Sequence, residues 1–208
     1  MLQIGVLCIL FTGLAVGAGA AQGTPPGADA DLIAKLKRGG YNLYVRHAAT
    51  NWSQSDRITA YGDWTSCDPV RIRQLSDEGR RDARAVGAAL RTLGIRLGQI
   101  FASPYCRTME TAKLMSGRAP KPTTDLLNLR AASFVGGSKV VVARARALLS
   151  GPPEAGVNDL FVAHGNLGRA AFETSLAEGE VLVIAPRAHG RFEIAGTLTP
   201  AAVMALME

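Results

Sequence analysis

The 208-residue chain has only three cysteines, and aromatic residues make up 6% of it. Three cysteines cannot staple a small secreted scaffold together, so the fold must rest on a hydrophobic core. Glycine (23) and proline (10) are too few for collagen-like or low-complexity sequence, and 48% apolar residues exclude a disordered chain. Charged residues are also sparse at 19%, and the net charge of +6 comes from 18 Arg and 5 Lys that never form a basic run interleaved with aromatics. That scatter argues against nucleic acid as a partner. Histidine is scarcer still, at three, so the placement of each one is informative.

Charge is missing altogether from the side chains of residues 1–21, where an apolar stretch from Ile4 to Val16 runs into Ala18-Gly19-Ala20. This is the pattern of a secretory signal with a small-residue cleavage site. Residues 22–28 then read as a Pro/Gly linker, and residues 29–208 as one domain. No later segment approaches the roughly 20 apolar residues of a membrane span. The expectation is a periplasmic or secreted protein without stable membrane insertion once the signal is removed; a retained anchor is the alternative. Losing Cys8 with the signal leaves Cys67 and Cys106, which in an oxidising compartment allow a single disulfide.

What is present is an alternation of strands and helices. Asp29 or Asp31 is expected to start a short helix that stops at Gly39-Gly40, and residues 41–46 read as a strand ending at His47. Residues 48–75 are polar and aperiodic. An amphipathic helix follows from Ser76 to about Leu93, with Ala83, Val86, Leu90 and Leu93 inward. Residues 99–102 form a strand, and Ser103-Pro104 reads as the cap and first residue of a helix to Met115. A strand near 125–129, a helix over 138–149, a strand over 159–163 ending at His164, and a helix over 166–177 come next. Strands over 180–185 and 191–195 flank a turn at 186–190. The pattern predicts an α/β three-layer sandwich whose mostly parallel sheet has an antiparallel edge.

In such sheets ligands bind beyond the carboxyl ends of the strands. His47, Ser103 and His164 all fall there, and Arg46 and Arg107 stand beside them. Two arginines, two imidazoles and a helix N-terminus on one crevice suit a dianionic phosphoryl group. His189, in the turn after Pro186, reads as a surface residue.

The motifs around these residues resemble those of the histidine phosphatase (phosphoglycerate mutase-like) superfamily. Its RHGETxWN motif is approximated by Arg46-His47-Ala48-Ala49-Thr50-Asn51-Trp52-Ser53, and its L[ST]xxGxxQA segment by residues 75–83. Its SPxxRTxxTA segment is approximated by residues 103–112, and its late HG motif by His164-Gly165. The resemblance implies a phosphoglycerate mutase-like fold, a phosphohistidine on His47, phosphoryl oxygens held by Arg46, Arg107 and His164, and no cofactor or metal. Asn51 and Ser53 fall where the family can contribute further phosphate contacts. The implied substrate is a small phosphorylated molecule or a phosphorylated envelope component.

The departures concern proton transfer. Ala48 and Ala49 replace Gly and Glu, and Leu129 in Leu127-Asn128-Leu129 stands where the family places its proton-donating glutamate. Asp125, Glu178 and Glu180 remain as candidate donors, with Glu178 preferred. The expected activity is phosphomonoester hydrolysis; the alternative is a weak or inactive phosphate-binding protein on the same fold. A C-x5-R spacing from Cys67 to Arg73 also fits a thiolate phosphatase loop, but Pro69 removes one of the backbone N–H groups such a loop needs. Trp52 and Trp64 suit either the core or the flank of a substrate.

Overall fold

The computed structural model describes residues 26–206, so the expected signal over 1–21 lies outside the described residues. Helix α1 (Pro26–Arg38) begins inside the segment expected to be linker, because a proline suits a first helical turn, where its missing N–H has no partner to lose. Strand β1 (Asn42–Arg46) then leads to His47, and after a long loop α2 (Asp77–Thr92) is capped by Ser76, whose hydroxyl accepts from the Gly79 N–H. Strand β2 (Leu97–Ala102), α3 (Cys106–Ser116) and the two-residue β3 (Lys121–Pro122) follow. The rest comprises α4 (Ser138–Ser150), β4 (Asn158–Ala163), α5 (Gly165–Phe172), β5 (Val181–Arg187), β6 (Arg191–Leu198) and α6 (Pro200–Ala205).

One six-stranded sheet has the order β3-β2-β4-β1-β5-β6. β1 pairs parallel with β4 and antiparallel with β5, and β6 closes the antiparallel edge against β5. Side chains alternate across the sheet as the pleat requires. Leu43, Val45, Leu160, Val162, Val181 and Val183 enter one core with α1, α2, α3 and α6. Tyr44, Phe161, Ala163, Leu182 and Ile184 enter the other with α4 and α5. The three-layer α/β/α arrangement is therefore as expected.

Three local expectations fail. The residues read as a strand near 125–129 instead form 3-10 turns at Thr124–Leu126 and Leu129–Val135, with Asn128 capping the second through a hydrogen bond from the Arg130 N–H. Ser103-Pro104 does not start α3; Tyr105 occupies the cap position because the Ser103 hydroxyl is engaged by His164. Finally, α5 ends at Phe172 rather than near 177, with Glu173 in the left-handed conformation. Among the described residues, no helix is long and apolar enough to cross a membrane.

Candidate active site

β1 and β4 run side by side, and their ends deliver His47 and His164 with ring centroids 5.5 Å apart. The His47 N–H donates to the Ala163 carbonyl, which fixes the backbone of the first histidine to the strand carrying the second. Both imidazoles are buried, at 2% and 1% exposure. Burial, and then the Arg107 guanidinium, push both well below the ordinary histidine range. Both are therefore neutral at pH 7.

The tautomer of His47 follows from its partner. Nδ1 lies 3.0 Å from the Ala48 carbonyl oxygen, which can only accept, so Nδ1 carries the proton and Nε2 the lone pair. At His164, Nε2 is 2.9 Å from Ser103 Oγ. When the Ser103 hydroxyl donates there, the proton is left on Nδ1, a buried atom with no protein partner among the described residues.

Arg46, Arg73, Arg130 and Arg169 line the crevice, about 430 Å³ in volume, into which His47 and His164 open. Gly165 lets Arg46 pass, since a Cβ there would lie 3.0 Å from Arg46 Cδ. Arg46 Nη1 donates to the Leu176 carbonyl at 2.8 Å. Arg107 lies fully buried beneath, paired through both terminal nitrogens with Asp56 at 2.8 and 2.9 Å and donating to the Arg73 carbonyl. Its Nε has no partner. Arg73 stacks its guanidinium 3.9 Å from the centre of the exposed Trp52 ring.

Sequence reasoning does not identify Asp56 and names Arg73 only in the C-x5-R spacing, because both sit in the aperiodic loop after His47. The available signal was an acid and a basic residue in a loop that must lie over the strand ends. That loop is tied down by the Cys67–Cys106 disulfide, with Cα atoms 5.3 Å apart, which places the tether next to Arg107. The bonded Cys67 rules out the thiolate reading of C-x5-R, and Arg73 serves the histidine crevice instead.

The other sequence candidates separate clearly. Asn51 and Ser53 do not line the crevice; they are exposed, and the Ser53 hydroxyl and N–H both donate to Asn51 Oδ1. Asn51 lines a broader neighbouring groove. Asp125 is also outside the crevice, and the half-buried Glu180 carboxylate accepts from the Ala177 N–H. Glu178 does approach His47. Gly179, at φ +80°, turns the chain so that its N–H reaches the Arg46 and His47 carbonyls. Glu178 accepts from the Thr50 hydroxyl at 2.7 Å and lies 3.5 Å from Arg46 Nη2 and 4.0 Å from His47 Nδ1. It lines the neighbouring groove rather than the crevice. His189 is an exposed turn residue, and Trp64 is core.

Residues 43–135 match the model of the histidine phosphatase superfamily, branch 1. Over that segment the chain is similar to this superfamily. The histidine phosphatase fold is seen in solved structures of similar shape. The product of the Mycobacterium tuberculosis open reading frame Rv3214 is 21% identical with a TM-score of 0.54, over 78% of this chain and 100% of that one. The protein histidine phosphatase SixA, solved with tungstate, is 15% identical with a TM-score of 0.53, over 77% and 97%. The mycobacterial glucosyl-3-phosphoglycerate phosphatase Rv2419c, solved with VO3, is 17% identical with a TM-score of 0.53, over 75% and 97%. No curated protein matches the sequence.

Proposed function

We propose that this chain is an exported phosphatase of the histidine phosphatase superfamily and needs no metal. It takes the phosphoryl group of a small phosphorylated molecule or envelope component, a phosphomonoester in the broad sense, onto His47 and passes it to water. The observation that carries this reading is the His47 ring: Nδ1–H is committed to the Ala48 carbonyl, and the neutral Nε2 lone pair belongs to a residue lining an arginine-rich crevice. In the first step Nε2 bonds to phosphorus and the ester oxygen leaves with the bond's electron pair. In the second, water attacks phosphorus and the N–P electron pair returns to Nε2. Arg46, the buried Arg107 and the unpartnered His164 Nδ1–H are the groups that hold the phosphoryl oxygens, and charge stabilisation of this kind is the main catalytic requirement of phosphoryl transfer.

Glu178 supports the intermediate rather than the leaving group. Attacking and leaving atoms stand roughly in line across phosphorus, so the leaving oxygen lies beyond Nε2, whereas Glu178 sits on the Nδ1 side. There it faces the positive charge that phosphorylation places on the imidazole.

The test is His47→Ala, which is expected to abolish phosphate release from 4-nitrophenyl phosphate and the acid-labile phosphoenzyme trapped by rapid quench. Normal turnover in that variant would overturn the mechanism. Loss of activity on adding a chelator would overturn metal independence. A second reading, phosphate binding without turnover, is favoured by Leu129 at the family's donor position. It would be established by a wild-type protein that binds inorganic phosphate but releases none from the aryl ester.

A further inference from the structure

The crevice lacks a side chain free to protonate a leaving group. Among the described residues that line it, Asp56 is the only carboxylate, and both of its oxygens accept hydrogen bonds from Arg107. One oxygen also accepts from the Arg73 N–H at 3.1 Å. Asn128 and Asn166 are bonded to each other at 2.8 Å and have no acidic proton. Both imidazoles are neutral, and Glu178 is on the wrong side of His47. General acid catalysis is worth about 10²–10⁴-fold where the leaving group is strongly basic. An alkoxide would therefore leave slowly from this site.

The same crevice has more positive charge than one phosphoryl group uses. Arg107 is neutralised by Asp56, and Arg46 stands 3.5 Å from Glu178. Arg73, Arg130 and Arg169 have no carboxylate within ion-pair distance among the described residues. Arg130 is exposed with no hydrogen bond from its guanidinium, and Arg169 donates only to Ser175 Oγ, at 3.2 Å. Guanidinium groups so placed are ready to take an oxyanion in forked geometry.

Resting on the phosphatase reading above, we infer that the preferred substrate is a diphosphate monoester, whose terminal phosphoryl group goes to His47 while Arg73, Arg130 and Arg169 hold the phosphate that leaves. One chemical class meets both conditions. A departing phosphate is weakly basic, with a second ionisation near about 6, so it needs no proton, and it is a second anion. His47 Nε2 bonds to the terminal phosphorus, and the bridging P–O bond breaks with its electron pair going to the inner phosphate. Water then cleaves the N–P bond, giving inorganic phosphate and a proton to solvent. A carboxylate-bearing alkyl phosphate supplies the second anion but still expels an alkoxide.

The experiment compares methyl diphosphate, methyl phosphate and carboxymethyl phosphate as substrates of the protein purified after expression of the full chain. The expected kcat/KM for methyl diphosphate exceeds both others by about 100-fold or more. Parity with carboxymethyl phosphate or methyl phosphate would overturn the inference. In Arg130→Ala and Arg169→Ala, the ratio of kcat/KM for methyl diphosphate to that for 4-nitrophenyl phosphate is expected to fall about tenfold, the worth of one charge-assisted hydrogen bond. An unchanged ratio in both would overturn the assignment of the arginines. Across aryl phosphates of graded leaving-group basicity, the rate should fall steeply as basicity rises, with the same slope in Glu178→Gln. A shallow slope that steepens in Glu178→Gln would make Glu178 the acid. Failure of the underlying reading looks different: no phosphohistidine forms and no substrate is hydrolysed.

Discussion

The residue that most changes the account of this site is Asp56. Its side chain is 4% exposed and pairs with Arg107 at 0%, so neither charge meets water and each depends on the other. Removing one partner from a buried pair costs about 3–5 kcal/mol, mostly because the remaining charge is stranded. Asp56→Ala is accordingly expected to lower unfolding free energy by about that amount in urea titration, and to reduce turnover as Arg107 loses its aim. A loss below about 1 kcal/mol, the range of exposed pairs, would show that the pair is wet. Asp56 also shows where sequence reading stops. His47, His164, Arg46 and Arg107 are legible because short motifs fix them to strand ends and a first helical turn. Asp56 and Arg73 are not, since no periodicity says which side chains of a long loop fold back over the sheet.

At the scale of elements, the loop from 51 to 75 is both the least regular part of the molecule and a wall of the site. It is held at its far end by the Cys67–Cys106 bond and at its exit by Ser76, whose N–H and hydroxyl both donate to the Ala49 carbonyl. Gly79 lets α2 sit this close, since a Cβ there would be 2.1 Å from that same oxygen. For a sequence separation of 39, loop closure is worth about 4 kcal/mol in the chain-entropy account. Cys67→Ser with Cys106→Ser is expected to lose up to that much stability and to lose turnover, with KM rising as Arg73 becomes mobile. Unchanged kinetics in the double variant would show that the tether serves only the fold. The order of the longer helices and strands was readable from apolar periodicity, whereas the two-residue β3 and the short α6 were not. The errors fell where side chains compete for other partners: Ser103 drawn off by His164, and Asn128 winding a 3-10 turn in place of a strand.

For the whole molecule, two buried neutral histidines couple folding to pH. Both have folded values below the unfolded value of about 6.5. Below about pH 7 the unfolded chain therefore binds up to two more protons than the native one at these sites. Their contribution to stability is complete above that value and is lost as pH falls, by at most about 2.7 kcal/mol per unit. Urea unfolding at pH 7.5, 6.5 and 5.5 should show this decline, and His164→Asn should reduce its slope; an identical slope would show that His164 is protonated in the native state. The sheet order carries one more consequence. β1 is bonded on both sides, by β4 and β5, and His47 is the first residue beyond it. Doubly paired inner strands exchange their amide hydrogens only on global unfolding, whereas exposed loops open at lower free energy. The nucleophile thus adjoins the slowest-opening part of the protein, whereas the Asp56–Arg73 arm is held by the Cys67–Cys106 bond and the Asp56–Arg107 pair rather than by the sheet. On reduction of the disulfide, catalysis is expected to be lost through the arm while the histidine pair stays protected, and reoxidation is expected to restore activity without refolding the sheet.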